Sequence, residues 1–305
     1  MLRLIGQYVD VDEVEVKRQL VYTFNAVVAD RWREARVLLA GDAAHMTPQF
    51  IGRGMNAGVR DADNLSWKLE AILRHGADPV ILDSFETERR PHAKAMIDLS
   101  VFNKALVSVK NPARAKARDL ALTTGLHTPG VGGWLRRAGM KPKPRLKKGG
   151  YVGLPRGLRG VEGSLFPQPM VRQYDGRPVR FDDAVGIGWT VIGIGVDPRE
   201  RLAAGLDTRQ SVGATFVTAF APGTRPQGAI GDGRRRSGLV DLEDTTGELT
   251  HWLRKAGVRE GAVVVLRPDK YVFGIARHDA SELTGAPVDQ LGLPAASTSS
   301  VAEAS

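Results

Sequence analysis

The chain has 305 residues, of which 42% are hydrophobic and 25% are charged, as is ordinary for a soluble globular protein of one to three domains. Cysteine is absent, which excludes disulfides, thiolate metal sites and a cysteine nucleophile and fits a cytoplasmic location. The formal charge of +9 is concentrated in one segment without aromatic interleaving, so no nucleic-acid partner is expected. No apolar stretch is long enough to span a bilayer or to act as a signal peptide, and no membrane partner is expected.

The first part of the chain predicts two short elements. Residues 9–16 alternate apolar and acidic side chains, a pattern that suits either an edge strand or a short helix. Residues 19–28 are rich in β-branched and aromatic side chains and predict a strand.

The stretch over residues 36–73 organises the rest of the chain. Residues 37–40 form a continuous apolar run, as expected of a strand that is covered on both faces. Gly41 and Asp42 follow at the carboxyl end of this strand, where open α/β sheets bind their ligands. A proline and two glycines then keep the loop irregular and allow backbone to approach a ligand closely. They are Pro48, Gly52 and Gly54.

A long helix is predicted from about Asn56. Apolar side chains share one face at helical spacing, and a glycine stands where a helix C-terminus favours it. These residues are Leu65, Leu69, Ile72, Leu73 and Gly76. Because the helix begins directly after a glycine-rich loop, its free N–H groups and positive dipole end can face an electron-rich ligand.

Further helices are predicted after this one. Asp78 and Pro79 mark a helix start, with the aspartate as N-cap and the proline at the first helical position. Pro91 predicts either a kink or the start of a new helix. The helical patterns cover residues 80–90, 92–109 and about 114–122.

Residues 125–180 are dense in glycine and proline and carry a basic run. The run consists of Arg136, Arg137, Lys141, Lys143, Arg145, Lys147 and Lys148. Such a run either contacts phosphate or nucleic acid or forms a solvated connection between domains. The prolines favour the connection, because proline-broken charge runs are typical of linkers.

A second domain is predicted after this connection. Its segments are strands over residues 189–194 and 214–217, a helix over 248–256, and a hairpin of residues 262–266 and 271–275. Residues 295–305 are small and polar and predict a disordered tail.

Several of these residues carry a family resemblance. They read Gly41-Asp42-Ala43-Ala44-His45, then Pro48, Gly52-x-Gly54-x-Asn56-x-Gly58 and Asp61-Ala62-x-Asn64-Leu65-x-Trp67-Lys68-Leu69. This sequence pattern resembles the second FAD motif of flavin-dependent aromatic hydroxylases of the para-hydroxybenzoate hydroxylase fold. It is most similar to the 3-(3-hydroxyphenyl)propionate hydroxylase branch. The similarity continues over residues 88–100 and, more weakly, over residues 267–272. It covers nearly the whole chain, as the C-terminal portion of such an enzyme.

The resemblance implies FAD as cofactor, NAD(P)H as co-substrate and a small phenolic substrate of the 3-hydroxyphenylpropanoate kind. It places the cofactor against Gly41, Asp42, Ala43, Pro48, Gly52, Gly54, Met55 and Asn56. Asp42 would accept hydrogen bonds from the ribityl hydroxyls, although a turn-capping role is the alternative. Arg53 is a candidate for attracting a substrate carboxylate. His45 has no second ligand at metal spacing, so no metal site is expected, and no catalytic residue is identified.

The resemblance also implies the domain organisation of an α/β protein. Residues 1–35 would be a remnant of the substrate domain, although a simple N-terminal hairpin is the alternative. Residues 36–124 would belong to the FAD-binding domain, residues 125–180 to the basic connection, 181–290 to a thioredoxin-like domain without cysteines, and 291–305 to the tail. No GxGxxG unit for the ADP half of FAD occurs in the chain. Three hypotheses follow: an N-terminally truncated monooxygenase, a non-catalytic fragment or pseudoenzyme that acts as an interaction or dimerisation module, and a basic binding module. We favour the first, with a possible homodimer.

Overall fold

A computed structural model describes residues 5–15, 17–18, 20–52, 54–150, 160–173, 176–202, 213–226, 238–277 and 283. The expectations for Arg53 and for the tail over residues 291–305 lie outside these ranges. The α-helices are α1 (Gly54–His75), α2 (Asp83–Val107), α3 (Pro112–His127), α4 (Val131–Arg136), α5 (Phe181–Val185), α6 (Pro198–Arg201) and α7 (Glu248–Lys255). Within the described ranges, none of these helices combines the length and apolarity needed to cross a bilayer.

The strands fall into two short pairs and one large sheet. They are β1 (Val27–Val28), β2 (Arg33–Glu34), β3 (Val37–Leu38), β4 (His45–Met46), β5 (Met170–Arg172), β6 (Pro178–Arg180), β7 (Thr190–Ile194), β8 (Thr215–Phe220), β9 (Leu239–Asp244), β10 (Val263–Leu266) and β11 (Val272–Ala276). Single 3₁₀ turns cover Val11–Glu13, Gly41–Ala43, Gln49–Ile51 and Pro79–Leu82.

The strands predicted near the start of the chain are shorter than their sequence pattern indicates. The strand predicted over residues 19–28 is reduced to β1, and Val21 is 95% exposed. The covered strand predicted over residues 37–40 is also wrong: among the described strands β3 pairs with β2 alone, and Val37 is 65% exposed. An apolar run becomes a buried strand only when neighbouring strands flank it and other layers cover both faces. The described residues supply one antiparallel neighbour, so the strands stay short, and residues 38–40 are half-buried against the core that contains Trp32.

The helices agree more closely with their sequence signals, because those signals are local. Helix α1 begins two residues before the predicted start, and Gly76 follows it in the left-handed conformation with φ of 66°. The Asp78 carboxylate accepts a hydrogen bond from the backbone N–H of Val80 and caps the 3₁₀ turn that leads into α2. Helix α2 continues through Pro91, so the helix neither ends nor restarts at this proline.

The large sheet has seven strands in the order β11-β10-β7-β8-β9-β5-β6. Strands β7, β8 and β9 are parallel, whereas β10 is antiparallel to both β7 and β11. Parallel strands joined by crossovers and followed by an antiparallel hairpin give the predicted thioredoxin-like α/β arrangement, and the hairpin is confirmed. The sheet also includes β5 and β6, which lie in the range assigned from sequence to the connection, and β9, for which no strand was predicted.

One hydrophobic core joins the helices to the sheet. The indole of Trp67 on α1 packs edge-on against Trp189 beside β7, with ring centroids 5.8 Å apart. Leu146, in the middle of the basic run, is buried in the same core, and the Arg145 guanidinium donates to the carbonyl of Gly160 at 2.6 Å. Arg145 is half-buried at this point, whereas the other six basic side chains of the run are exposed.

Candidate flavin-type site

The turn after β3 lies directly on the start of α1. Gly41 has a left-handed φ of 59°, which favours glycine at this position. A Cβ atom on Gly58 would lie only 3.3 Å from the Cα atom of Gly41, so the two backbones approach as closely as glycine allows. The Gly41–Ala43 turn is thus placed on the first turns of the helix, as the sequence predicts for a site at the end of a strand.

A buried carboxylate holds this turn in place. Asp61 of α1 accepts hydrogen bonds from the backbone N–H of Gly41 at 3.1 Å, from Nε2 of His45 at 2.7 Å and from Nε of Arg89 at 2.9 Å. Burial by itself would raise the pKa of Asp61, but the hydrogen bond from His45 and the charge of Arg89 outweigh it, so the pKa lies below its ordinary value. Asp61 therefore stays ionised and connects the turn, β4 and α2.

The role of Asp61 is not visible in the sequence, where it stands in the family motif without an assigned partner. No local pattern links Asp61 to its partners. Asp61 and Arg89 are 28 residues apart and meet only when α1 and α2 pack together. His45 is buried, and its contact with Asp61 gives it a structural role. The described part of the chain contains no group of three or more metal-ligating side chains.

The eight predicted cofactor-binding residues form a surface layer and a support beneath it. Asp42, Ala43, Gly52, Met55 and Asn56 are exposed, and Met55 is 80% exposed. Pro48 is buried instead, and its carbonyl accepts a hydrogen bond from the Ser100 hydroxyl of α2 at 2.6 Å. Gly41 and Gly54 are half-buried. The structure brings all eight to one end of α1.

This surface is open and electropositive along the helix axis. A Cβ atom added to Gly52 or Gly54 would meet no heavy atom within 4 Å, so there is room for a ligand against the backbone. Helix α1 has 22 residues and begins at this surface, where its free N–H groups favour negative charge. The exposed Asp42 carboxylate can accept hydrogen bonds from hydroxyl groups. The surface thus combines an acceptor for hydroxyl groups with N–H donors for an electron-rich ring edge. This combination of hydrogen-bonding groups suits a flavin.

A second buried cluster fixes α1 and α2 against the sheet. The Glu88 carboxylate binds Lys68 Nζ at 2.9 Å, Asn64 Nδ2 at 2.7 Å and the Arg267 guanidinium at 2.7 and 2.9 Å. Burial lowers the pKa of Lys68 to about 8, although the charge of Glu88 opposes this effect. These side chains are fully enclosed, so their role is to orient the helix whose start forms the site.

Two domain families match the chain. Residues 5–100 match the family described as FAD binding domain, and residues 163–290 match the family described as HcaD C-terminal domain. The first match contains the whole surface at the start of α1, and the second contains the seven-stranded sheet.

Similar sequences are aromatic hydroxylases. The chain is 36% identical over 279 residues to a 3-(3-hydroxy-phenyl)propionate/3-hydroxycinnamic acid hydroxylase of Klebsiella pneumoniae, covering 90% of this chain and 49% of that protein. It is 37% identical over 265 residues to the protein of the same description in Mycolicibacterium smegmatis, covering 86% of this chain and 46% of that protein. The chain thus spans about half the length of the curated relatives it matches.

Solved structures of similar fold are longer chains that are described as hydroxylases. A ternary complex of aklavinone-11 hydroxylase with FAD and aklavinone aligns with a TM-score of 0.63 and 24% identity, covering 95% of this chain and 50% of that chain. The anhydrotetracycline hydroxylase OxyS from Streptomyces rimosus aligns with a TM-score of 0.57 and 23% identity, covering 88% of this chain and 47% of that chain. At these identities the likeness shows the fold.

Proposed function

We propose that this chain, which belongs to the family of flavin-dependent aromatic hydroxylases, supplies one wall of the FAD site of an enzyme that hydroxylates a phenolic acid. One observation carries the proposal. The buried Asp61 carboxylate fixes the Gly41–Ala43 turn on the start of α1, and this leaves Asp42, the glycine loop and the helix N-terminus on a single open surface. The hypothesis of a basic binding module rests on exposed lysine and arginine side chains alone, which are typical of a solvated surface.

Each part of this surface would have its own role toward FAD. The Asp42 carboxylate would accept hydrogen bonds from ribityl hydroxyls, and the backbone N–H groups at the start of α1 would stabilise negative charge on the ring. Gly52 and Gly54 would allow the ring to lie against the main chain. When bound, FAD supplies the redox and oxygen chemistry, whereas the protein provides orientation and electrostatics.

The finer parts of the proposal rest on the relatives. Their names include 3-(3-hydroxy-phenyl)propionate and 3-hydroxycinnamic acid, and we infer a phenolic acid of this kind as substrate. NAD(P)H as co-substrate, a homodimer, a cytoplasmic location and the five-part division of the chain belong to the same proposal. The individual contacts of the eight predicted cofactor-binding residues with FAD are also part of this proposal.

The interaction module is a second candidate, and one observation favours it. Leu20, Val21 and Tyr22 are 61%, 95% and 73% exposed, and Val37 on β3 is 65% exposed. Exposed apolar side chains in segments with short, incompletely paired strands are typical of a surface that joins another polypeptide segment. On this hypothesis the chain would bind a protein partner or a second copy through residues 20–37 and would not need FAD.

Titration of the purified chain with FAD, followed by flavin fluorescence, tests the proposal. We expect saturable binding, and we expect Asp42→Asn to weaken it about tenfold through loss of a charged acceptor. Asp183→Asn is the matched control, because Asp183 is an exposed carboxylate on α5, in the sheet domain. Binding that is absent, or that Asp42→Asn leaves unchanged, would contradict the proposed role of this surface.

Sedimentation of the same samples separates the two candidates. On the hypothesis of an interaction module, the chain self-associates regardless of FAD. Val37→Asp should weaken this self-association, because a charge at this exposed apolar position opposes its burial. The hydroxylase proposal predicts that Val37→Asp leaves FAD binding unchanged, since this side chain is exposed and is not among the eight predicted cofactor-binding residues. A chain that self-associates through Val37 and ignores FAD would support the second candidate.

A further inference from the structure

A cavity of about 380 Å³ lies at the carboxyl ends of the parallel strands β7 and β8, away from the flavin-type surface. Ile194 ends β7 and Phe220 ends β8, and both line the cavity, while α7 forms the opposite wall. In open α/β sheets, the crevice outside the carboxyl ends of parallel strands is the place where ligands bind. The cavity therefore has the position of a binding site within the sheet domain.

The wall of this cavity is apolar and rigid. Ala219, Leu249, Leu253 and Val258 line it, and each is at most 8% exposed because it also belongs to the core beneath. Small-molecule sites have volumes of about 300–1,000 Å³ and are lined mainly by apolar side chains. This cavity lies at the small end of that range, so it can hold one aromatic ring with a short substituent.

A cation stands at the mouth of the cavity. Arg254, in the last turn of α7, lines the mouth and is exposed. Its guanidinium contacts Nδ1 of His251 at 3.4 Å, and it forms no ion pair with a carboxylate among the residues that the structure describes. A guanidinium presents several N–H donors in a planar fork that matches a carboxylate. Arg254 thus offers a charge partner for an anionic ligand.

A carboxylate stands at the same mouth. Glu260 lies against Gly195, and a Cβ atom on Gly195 would be 2.8 Å from Oε1 of Glu260. Gly195 also has a left-handed φ of 68°, so a glycine here both follows the strand end and leaves room for the carboxylate. An ionised carboxylate only accepts hydrogen bonds, so Glu260 favours a ligand that carries a hydroxyl donor.

We propose that this cavity binds a small hydroxylated aromatic acid. The ring would lie between the apolar side chains of α7 and the strand ends, the ligand carboxylate would pair with Arg254, and the ligand hydroxyl would donate to Glu260. The proposal uses no residue of the FAD surface and does not depend on the proposed function. It describes a second ligand site, on the sheet domain.

Calorimetric titration of the full chain with 3-hydroxybenzoate tests this proposal. We expect saturable binding with a dissociation constant of about 1 mM or tighter, as suits a ligand of this size. Arg254→Gln should weaken binding about tenfold, because it removes a charge-assisted hydrogen bond. Arg259→Gln is the matched control, since Arg259 is exposed, lies in the loop that follows α7 and does not line the cavity.

The neutral amide of the same ligand gives an internal check. We expect 3-hydroxybenzamide to bind the unaltered chain about tenfold more weakly than the acid, and to be insensitive to Arg254→Gln. Ala221→Leu provides a second, independent variant, because the side chain of this half-buried lining residue would extend into the cavity and exclude the ring.

Two results would overturn the proposal: no saturable binding of 3-hydroxybenzoate, or binding that both Arg254→Gln and Ala221→Leu leave unchanged. Circular dichroism of the variants shows that they are folded. FAD titration of the same variants should match the unaltered chain. Failure of the second site is thereby distinguished from failure of the flavin-type surface.

Discussion

Glu88 of α2 and Arg267 at the end of β10 form a bidentate ion pair, with Nη1–Oε1 and Nη2–Oε2 distances of 2.7 and 2.9 Å. Both side chains are fully buried, and 179 residues separate them in the chain. Lys68 joins the same carboxylate from α1, so one anion connects both long helices to the hairpin of the sheet. The start of α1, and with it the candidate cofactor surface, takes its position relative to the sheet from this pair.

Replacement of Glu88 by glutamine should strongly destabilise the protein. The variant would leave two buried cations, Arg267 and Lys68, without their shared carboxylate, and breaking such a pair typically costs about 3–5 kcal/mol. Urea unfolding measures the loss in free energy of unfolding. Glu70→Gln is the control, because Glu70 pairs with Arg74 at 3.5 Å on the exposed face of α1 and should contribute under about 0.5 kcal/mol. Equal effects of the two substitutions would contradict this account.

Asp61→Asn should disturb the flavin-type surface from beneath. It leaves the buried Arg89 without its carboxylate and weakens the acceptor for Gly41 and His45, at a cost of about 3–5 kcal/mol. We expect the free energy of unfolding and the affinity for FAD to fall together. Asp98→Asn is the control, because it makes the same change on an exposed side chain of α2 whose ion pair with Lys94 should contribute little. Unchanged FAD binding in a folded Asp61→Asn variant would show that the turn does not need this support.

Gly58→Ala should weaken FAD binding more than it alters stability. The new Cβ atom would lie 3.3 Å from Cα of Gly41, so the Gly41–Ala43 turn has to move by a few tenths of an ångström. A gain in helix propensity of about 1 kcal/mol opposes the cost of that shift. Gly54→Ala has no such neighbour within 4 Å and should lose nothing to a clash in thermal unfolding, although as the first residue of α1 it gains only part of the propensity. A Gly58→Ala protein that is stabilised as much as Gly54→Ala would refute the close approach.

His92 should make the protein less stable in acid. Burial, together with the charges of Arg89 and Arg60, lowers the pKa of His92 to about 4, although Asp61 opposes the shift. Between the ordinary value of 6.5 and about 4, the unfolded chain binds a proton that the folded chain does not. The free energy of unfolding therefore falls as the pH falls through this window, and the stability from His92 is fully present above it.

His92→Gln measures this contribution. The variant should lose less free energy of unfolding than the unaltered protein between about pH 6.5 and pH 4.5, and in nuclear magnetic resonance the ring of His92 should stay neutral across most of that range. Both ring nitrogens of His92 are buried without a hydrogen-bond partner in the described structure, which agrees with a neutral ring. His75→Gln on α1 is the control. A His92 resonance that titrates near pH 6.5 would contradict the assignment.

Features that depend on neighbouring residues can be predicted from the amino-acid sequence of this chain. Helix signals such as Asp78 before a proline and Gly76 after an apolar face gave helix positions to within a few residues, because capping and periodicity act over single turns. The hairpin across residues 267–270 and the motif that begins at Gly41 were visible for the same reason. The strands over residues 19–28 and 37–40 were predicted too long, since a strand depends on partners that the local pattern does not specify.

Which buried charges meet depends on the packing of segments that are distant in the chain. Asp61 with Arg89, and Glu88 with Arg267, are pairs whose members lie 28 and 179 residues apart, and neither pair has a local signature. The cavity beside Arg254 likewise forms where two strand ends and α7 converge. Local pattern specifies which segments are helices and which carry a cofactor motif. The burial of ionised side chains depends on the packing of distant segments, because a charge is stable in the core only where its partner is brought to it.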